Sequence, residues 1–99
     1  MEVVNERCSG LDVHKQRVVA CVVVSVPGGP PRKAVRTFGT MTEDLERLAA
    51  WLAAEGVTHV AMESTGVFWQ PVWNVLEAAP AGFVLLLVNA RHVKAVPGR

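Results

Sequence analysis

The sequence has few cysteines, no long apolar run and almost no net charge, and each shortage excludes something. Cys8 and Cys21 are its cysteines. They lack the C-x-x-C spacing of a metal site, and two are too few for a disulfide framework. They read as small reduced core residues. If the first two strands form a hairpin turning near His14 and Lys15, the two become cross-strand neighbours. The longest apolar runs, Val18 to Val24 and Phe83 to Val88, fall far short of the ~20 residues that span a bilayer. The opening Met1-Glu2-Val3-Val4-Asn5-Glu6-Arg7 is charged where a signal peptide needs an apolar core. A soluble, cytoplasmic chain with no membrane partner is expected. The net charge of +1 gives no global argument for nucleic acid or membrane. The charges are nonetheless uneven. No acid follows Glu77, while Arg91, Lys94 and Arg99 fall in the last nine residues with His92 among them. That end is locally basic. Internal repeats and low-complexity segments are also lacking.

What is present suits one small α/β domain. The chain has 99 residues, of which 51% are apolar, enough for a sizeable core. Residues 1–7 read as a flexible leader, and 8–99 as the domain. Cys8 to Val13 reads as a first strand. Gln16 to Val26 is valine-rich, which suits a pleated surface, and its near-continuous apolar character predicts cover on both faces. Pro27-Gly28-Gly29-Pro30-Pro31 is a turn. Arg32 to Phe38 alternates as an edge or half-exposed strand does.

Thr40 or Thr42 can cap a first helix, and Thr40 with Glu43 has capping-box spacing. Leu45, Leu48, Ala49 and Leu52 form one apolar stripe, and Gly56 is a natural stop. Val57 to Met62 reads as a strand and Glu63 to Gly66 as the loop after it. A second helix is predicted over Val67 to Ala79, with Phe68, Val72, Val75, Leu76 and Ala79 facing inward. Pro71 lies near its start, where a missing N–H costs little. Phe83 to Val88 is a fully apolar strand, predicted to be buried on both faces. The order β-β-β-α-β-α-β gives a mixed sheet, with the first strand central and beside the fourth.

Two acids stand out in that frame. Asp12 is a single carboxylate in a run that reads as a buried strand, where an unpaired charge is expensive. Glu63 ends a second apolar run. In such sheets ligands gather at the carboxyl ends of the parallel strands, and both acids lie there. Carboxylate oxygens suit hard cations such as Mg²⁺ or Mn²⁺. A pair of metals that clamps a phosphodiester needs more carboxylates than these. Glu43, Asp44, Glu46, Glu55 and Glu77 fall on the predicted helices and read as solvated or helix-end charges.

The motifs Gly10-Leu11-Asp12-Val13-His14-Lys15, Met62-Glu63-Ser64-Thr65-Gly66 with Trp69, and Leu87-Val88-Asn89-Ala90-Arg91-His92-Val93-Lys94 with Pro97-Gly98-Arg99 occur together and in order. In this the chain resembles the N-terminal domain of the DEDD-type transposases of the insertion sequence 110 family, the Piv/MooV group. The resemblance covers nearly the whole chain. It implies an RNase H-like, RuvC-like fold, here expected to be truncated before the C-terminal helices. It implies metal-dependent DNA cleavage and strand transfer, with Asp12 and Glu63 as the first two of four acidic ligands for Mg²⁺ or Mn²⁺. The family's other acids are expected beyond Arg99, so a fragment inactive alone is the expected state. DNA is the implied partner, with a guide RNA in the full-length family and a homo-oligomer as a further expectation.

Plainer readings stand beside these. Asp12 as a satisfied buried acid and Glu63 as a helix-capping charge are the alternatives to ligands. His14 and Lys15 are phosphate contacts or ordinary hairpin residues. Ser64 and Thr65 precede a helix N-terminus, where an anion or ordinary capping fits. Asn89 borders the site or merely ends a strand. Arg91, Lys94 and Arg99 meet nucleic-acid phosphate or form a solvated tail. His59 reads as structural, and Trp51, Trp69 and Trp73 as core or interface. Two other function classes remain open: a non-catalytic nucleic-acid-binding or assembly module, and a phosphate-binding domain of the sugar-kinase and actin type. Against the latter, His14-Lys15 replaces the glycine-rich turn that fold prefers after its Asp.

Overall fold

The structure is a computed structural model describing residues 7–88. Its elements are β1 (Arg7–Val13), β2 (Val18–Val24), β3 (Arg32–Phe38), α1 (Thr42–Ala54), β4 (His59–Ser64), α2 (Trp69–Ala78) and β5 (Val84–Val88). This is the order expected. β1 begins at Arg7, inside the expected leader, and the rest of that leader lies outside the described residues. The strands form one sheet in the order β3-β2-β1-β4-β5. β2 is antiparallel to both β1 and β3, while β4 is parallel to both β1 and β5. β1 is therefore central, with β4 beside it.

Side chains alternate across a strand, and here the alternation divides the sheet sharply. Leu11, Val13, Val18, Ala20, Val22, Val24, Val60 and Met62 join Leu45, Leu48, Leu52, Val72 and Leu76 in one core cluster. Both helices thus cover the same face. The opposite face carries Cys8, Gly10 and Asp12 of β1, Val19, Cys21 and Val23 of β2, and Ala61 and Glu63 of β4, all half-buried or exposed. No described helix packs on it.

That one-sidedness corrects the expected burial of β2 and β5 on both faces. β2 alternates between buried and half-buried residues. β5 is an edge strand with no fully buried residue, and Leu86 is 60% exposed. Apolar composition signals a strand able to bury two faces, but the described residues supply only one helical layer. Cys8 and Cys21 are free and half-buried on the open face. Cys8 pairs with Val23, and Cys21 with Gly10, so the cysteines are diagonal rather than directly opposed.

The helix ends differ from expectation by a residue or two. Met41, not a threonine, is the N-cap of α1. Asp44, not Glu43, reaches back, its Oδ2 accepting from the Met41 N–H at 3.2 Å. Asp44 also pairs with Arg47. The helix stops where Gly56 takes φ +76°, a left-handed conformation glycine adopts without strain. α2 starts at Trp69, leaving Phe68 as an exposed N-cap rather than part of the inward stripe. Val72 and Leu76 are buried as expected, and Val75 and Ala79 pack against the core in part. Pro71 falls in the first turn, where no intrahelical N–H bond is lost. No helix among the described residues is long and apolar enough to cross a membrane.

Candidate active site

Asp12 and Glu63 are register partners across the parallel β1–β4 pair. Adjacent strands lie ~4.8 Å apart, and paired residues point to the same face. The two carboxylates therefore stand side by side near the carboxyl ends of the strands, on the open face. Glu63 lies inside β4, which runs to Ser64, rather than in the loop expected from sequence.

The environment of Asp12 corrects its sequence reading. Its side chain is 61% exposed. Leu11 and Val13 enter the core on either side of it, and Asp12 takes the outward position between them. A run of mostly apolar residues thus mimicked a fully buried strand. The carboxylate does not carry the desolvation cost of a buried charge, and its oxygens are open to ligands.

His14, two residues on, shares the face of Asp12, and its Nε2 lies 3.1 Å from Asp12 Oδ2. The turn that follows is tight: the His14 N–H donates to the Arg17 carbonyl at 2.8 Å. This sets Arg17 opposite His14, one step beyond the Val13–Val18 pair. Lys15 is exposed at the tip, and its carbonyl accepts from Thr40 Oγ1 at 3.3 Å, which ties the turn to the loop before α1. Arg17 was not singled out from sequence, because that reading placed it inside a long strand; only the turn register brings it to the site.

Gly10, Cys21 and Ala61 form the small-residue floor of a shallow depression beside the pair, about 340 Å³ in volume, with Asp12, Glu63 and Val88 on its border. Gly10 leaves its centre open, since a Cβ there would meet no atom within 4 Å.

Two exposed carboxylates in register fit a hard divalent cation as partial ligands, because such ions take oxygen donors and keep several waters. Among the described residues, however, no group of three or more His, Cys, Asp or Glu side chains converges on one point. Glu43, Asp44, Glu46, Glu55 and Glu77 lie on or at the ends of the two helices, across the sheet from the pair.

The remaining candidates fall unevenly. Ser64 ends β4 and its Oγ donates to the Thr65 carbonyl at 3.2 Å. Ser64 and Thr65 lie one turn before α2 rather than at its N-terminus, because the helix starts only at Trp69. His59 pairs with the Thr58 hydroxyl at 2.8 Å, in keeping with a structural role. Asn89, Arg91, Lys94 and Arg99 lie outside the described residues.

The fold has well-matched relatives among solved structures. Thermus thermophilus RuvC in complex with a Holliday junction substrate aligns with a TM-score of 0.63 at 15% identity, over 92% of this chain and 69% of that one. A second Thermus thermophilus RuvC structure gives 0.61 at 16%, over 89% and 66%. The Aquifex aeolicus member of the Ppx/GppA family gives 0.57 at 11%, over 87% and 36%. At these identities the likeness shows the fold alone, which is RuvC-like as expected. The chain spans about two thirds of the RuvC chains and about a third of the Ppx/GppA chain. No curated protein matches the sequence. The DEDD-type transposase model of the insertion sequence 110 family, described as "Transposase", matches residues 9–99. The match spans all three sequence motifs and both carboxylates, and the chain belongs to this transposase family.

Proposed function

We propose that this chain supplies the Asp12–Glu63 half of a divalent-metal site for DNA cleavage and strand transfer in transposition, and that alone it does not cleave DNA. The observation that carries this reading is the register of Asp12 with Glu63 on neighbouring parallel strands, on the uncovered face of a chain in a transposase family. The sheet by itself does not select this chemistry, since RuvC and a Ppx/GppA phosphatase share it. Family membership and the carboxylate pair support it.

In the proposed mechanism Asp12 and Glu63 would hold Mg²⁺ or Mn²⁺ through their carboxylate oxygens. When bound, such an ion polarises a phosphodiester and lowers the pKa of a bound water. His14 orients the Asp12 carboxylate through its Nε2 contact, and Lys15 offers a point charge to phosphate at the turn. DNA is the proposed partner, in line with the junction substrate held by the RuvC relative. Residues 8–99 would form the RuvC-like unit, and a guide RNA and a cytoplasmic setting belong to the same reading. The uncovered apolar face, with Val35, Val84 and Leu86 exposed, favours self-association. Activity alone is not proposed, because the other described acids sit across the sheet and do not complete the ligand set.

The second reading, a non-catalytic nucleic-acid-binding or assembly module, draws on that same shortage of converging acids. Thermal unfolding with Mg²⁺ separates the two. An ion present at tenfold its Kd stabilises by about 1.4 kcal/mol, or ~6–11 °C for a domain of this size. The shift should vanish in Asp12→Ala. No shift even at metal concentrations well above the millimolar range would favour the module. Metal-dependent cleavage by the purified chain, lost in Glu63→Ala, would overturn the claim that it is inactive alone.

A further inference from the structure

The cations of the described residues divide by what they touch. Arg7 donates to the Glu55 carbonyl, Arg32 pairs with Glu55 and Arg47 pairs with Asp44. Arg36 lies over the Phe38 and Trp51 rings, 5.0 and 5.4 Å from their centroids. Lys15, Arg17 and Lys33 have no ion pair among the described residues. Their placement is not scattered. Lys15 and Arg17 form the β1–β2 turn just beyond the carboxylate pair. Lys33 pairs with Val23, which pairs with Cys8, so it belongs to the same uncovered face. On the other side of the pair, β5 contains no Lys or Arg.

We infer that Lys15, Arg17 and Lys33 form a basic strip, running from the β1–β2 turn along the outer strand β3, on which the phosphate backbone of a DNA duplex lies as it reaches Asp12 and Glu63. The inference rests on the proposed function and deepens it, since it gives the side from which the duplex enters. Arg17 stands one step beyond β2, and its level on β3 is that of Gly39, six residues from Lys33. At ~3.3 Å per residue that spacing is ~20 Å, a little over half of the ~34 Å turn of a B-form duplex. The strip is thus long enough to meet several phosphates of one strand. Strand β5 itself offers such a polyanion no cation. Unpaired cations gain most from phosphate, because no internal partner has to be given up and counterions are released from the DNA.

The test is duplex binding in EDTA, read by fluorescence anisotropy of a labelled 20-base-pair DNA across a salt series. Each phosphate-bound cation contributes about 0.9 to the slope of log K against log salt. The triple variant Lys15→Gln/Arg17→Gln/Lys33→Gln should lose about 2.7 of that slope, and Lys33→Gln alone about 0.9. Arg47→Gln, on the far face, should leave the slope unchanged. An unchanged slope in the triple variant overturns the inference, as does an equal loss in Arg47→Gln. So does a failure of the native chain to bind duplex, or tighter binding of an RNA duplex of the same length. Matching melting temperatures exclude unfolding as the cause of a loss, and Lys33→Gln keeps the test decisive if the triple variant does not fold. Because metal is absent, the outcome separates from that of the metal reading. Loss of slope without any Mg²⁺ shift would uphold the strip and sink the metal site.

Discussion

Two carboxylates held side by side without a counter-ion repel each other, so removing one should stabilise the metal-free chain. Asp12→Asn is the clean perturbation, because it keeps the shape and leaves an amide oxygen that accepts from His14 Nε2. Register pairing on parallel strands brings Asp12 and Glu63 to about the strand spacing of ~4.8 Å. Both side chains are exposed, so a water-like dielectric applies, and two unit charges at that distance repel by about 0.9 kcal/mol. Screening at ordinary ionic strength lowers this to roughly 0.5 kcal/mol. For a domain of this size that is a rise of ~2–4 °C in Tm. The assay is thermal unfolding in EDTA at low and at high salt. The gain should be largest at low salt and fade near 1 M, where the screening length falls to ~3 Å. Addition of Mg²⁺ should reverse the ranking, because only the native chain keeps both ligands. If Asp12→Asn is less stable than the native chain in EDTA, whatever the salt, the carboxylate is a structural partner of His14. The reading of the pair as a metal site would then fail.

Other expectations follow from the one-sided core. Leu48 is 0% exposed between the sheet and the helices, so Leu48→Ala should cost about 3–5 kcal/mol; urea unfolding checks this, and a loss below 1 kcal/mol would mean the two layers are not packed as described. Ser9 is buried on the helix side, and its Oγ has no partner among the described residues. Ser9→Ala should therefore raise stability by about 1 kcal/mol, and a fall in the same urea experiment would reveal a hydrogen bond to the hydroxyl. Leu86→Lys places a charge on the exposed apolar face and edge. It should shift light-scattering mass toward the monomer, and unchanged association would place any self-contact elsewhere.

Much of this architecture was legible from sequence because local signals agreed. The valine run, the Pro-Gly turn and the 3.6-residue stripe of Leu45, Leu48 and Leu52 each specify one element, and their order restricts the sheet to few topologies. β3 spans Arg32 to Phe38 both as predicted and as found. Failures arose where the answer depends on the number of layers. β5 is apolar throughout yet half open, because a strand's composition does not reveal whether a second layer covers it. The same blindness made Asp12 read as buried. Its pairing with Glu63 was anticipated from strand ends, but the shared face needed the register. Arg17 was missed because its significance comes from sitting opposite His14, a relation created by a four-residue turn. The shift of the capping contact from Glu43 to Asp44 is smaller in kind, since any acid in that first turn serves and backbone geometry selects which one reaches back.

The most direct test of the central claim is a Mn²⁺ titration of the native chain followed by electron paramagnetic resonance, which counts free ion. Weak binding of Mn²⁺ in the millimolar range is expected, lost in Asp12→Asn and equally in Glu63→Gln, with Glu46→Gln unaffected on the far face. Binding that survives either substitution, or no binding in the native chain, would contradict the assignment of Asp12 and Glu63 as a shared metal site.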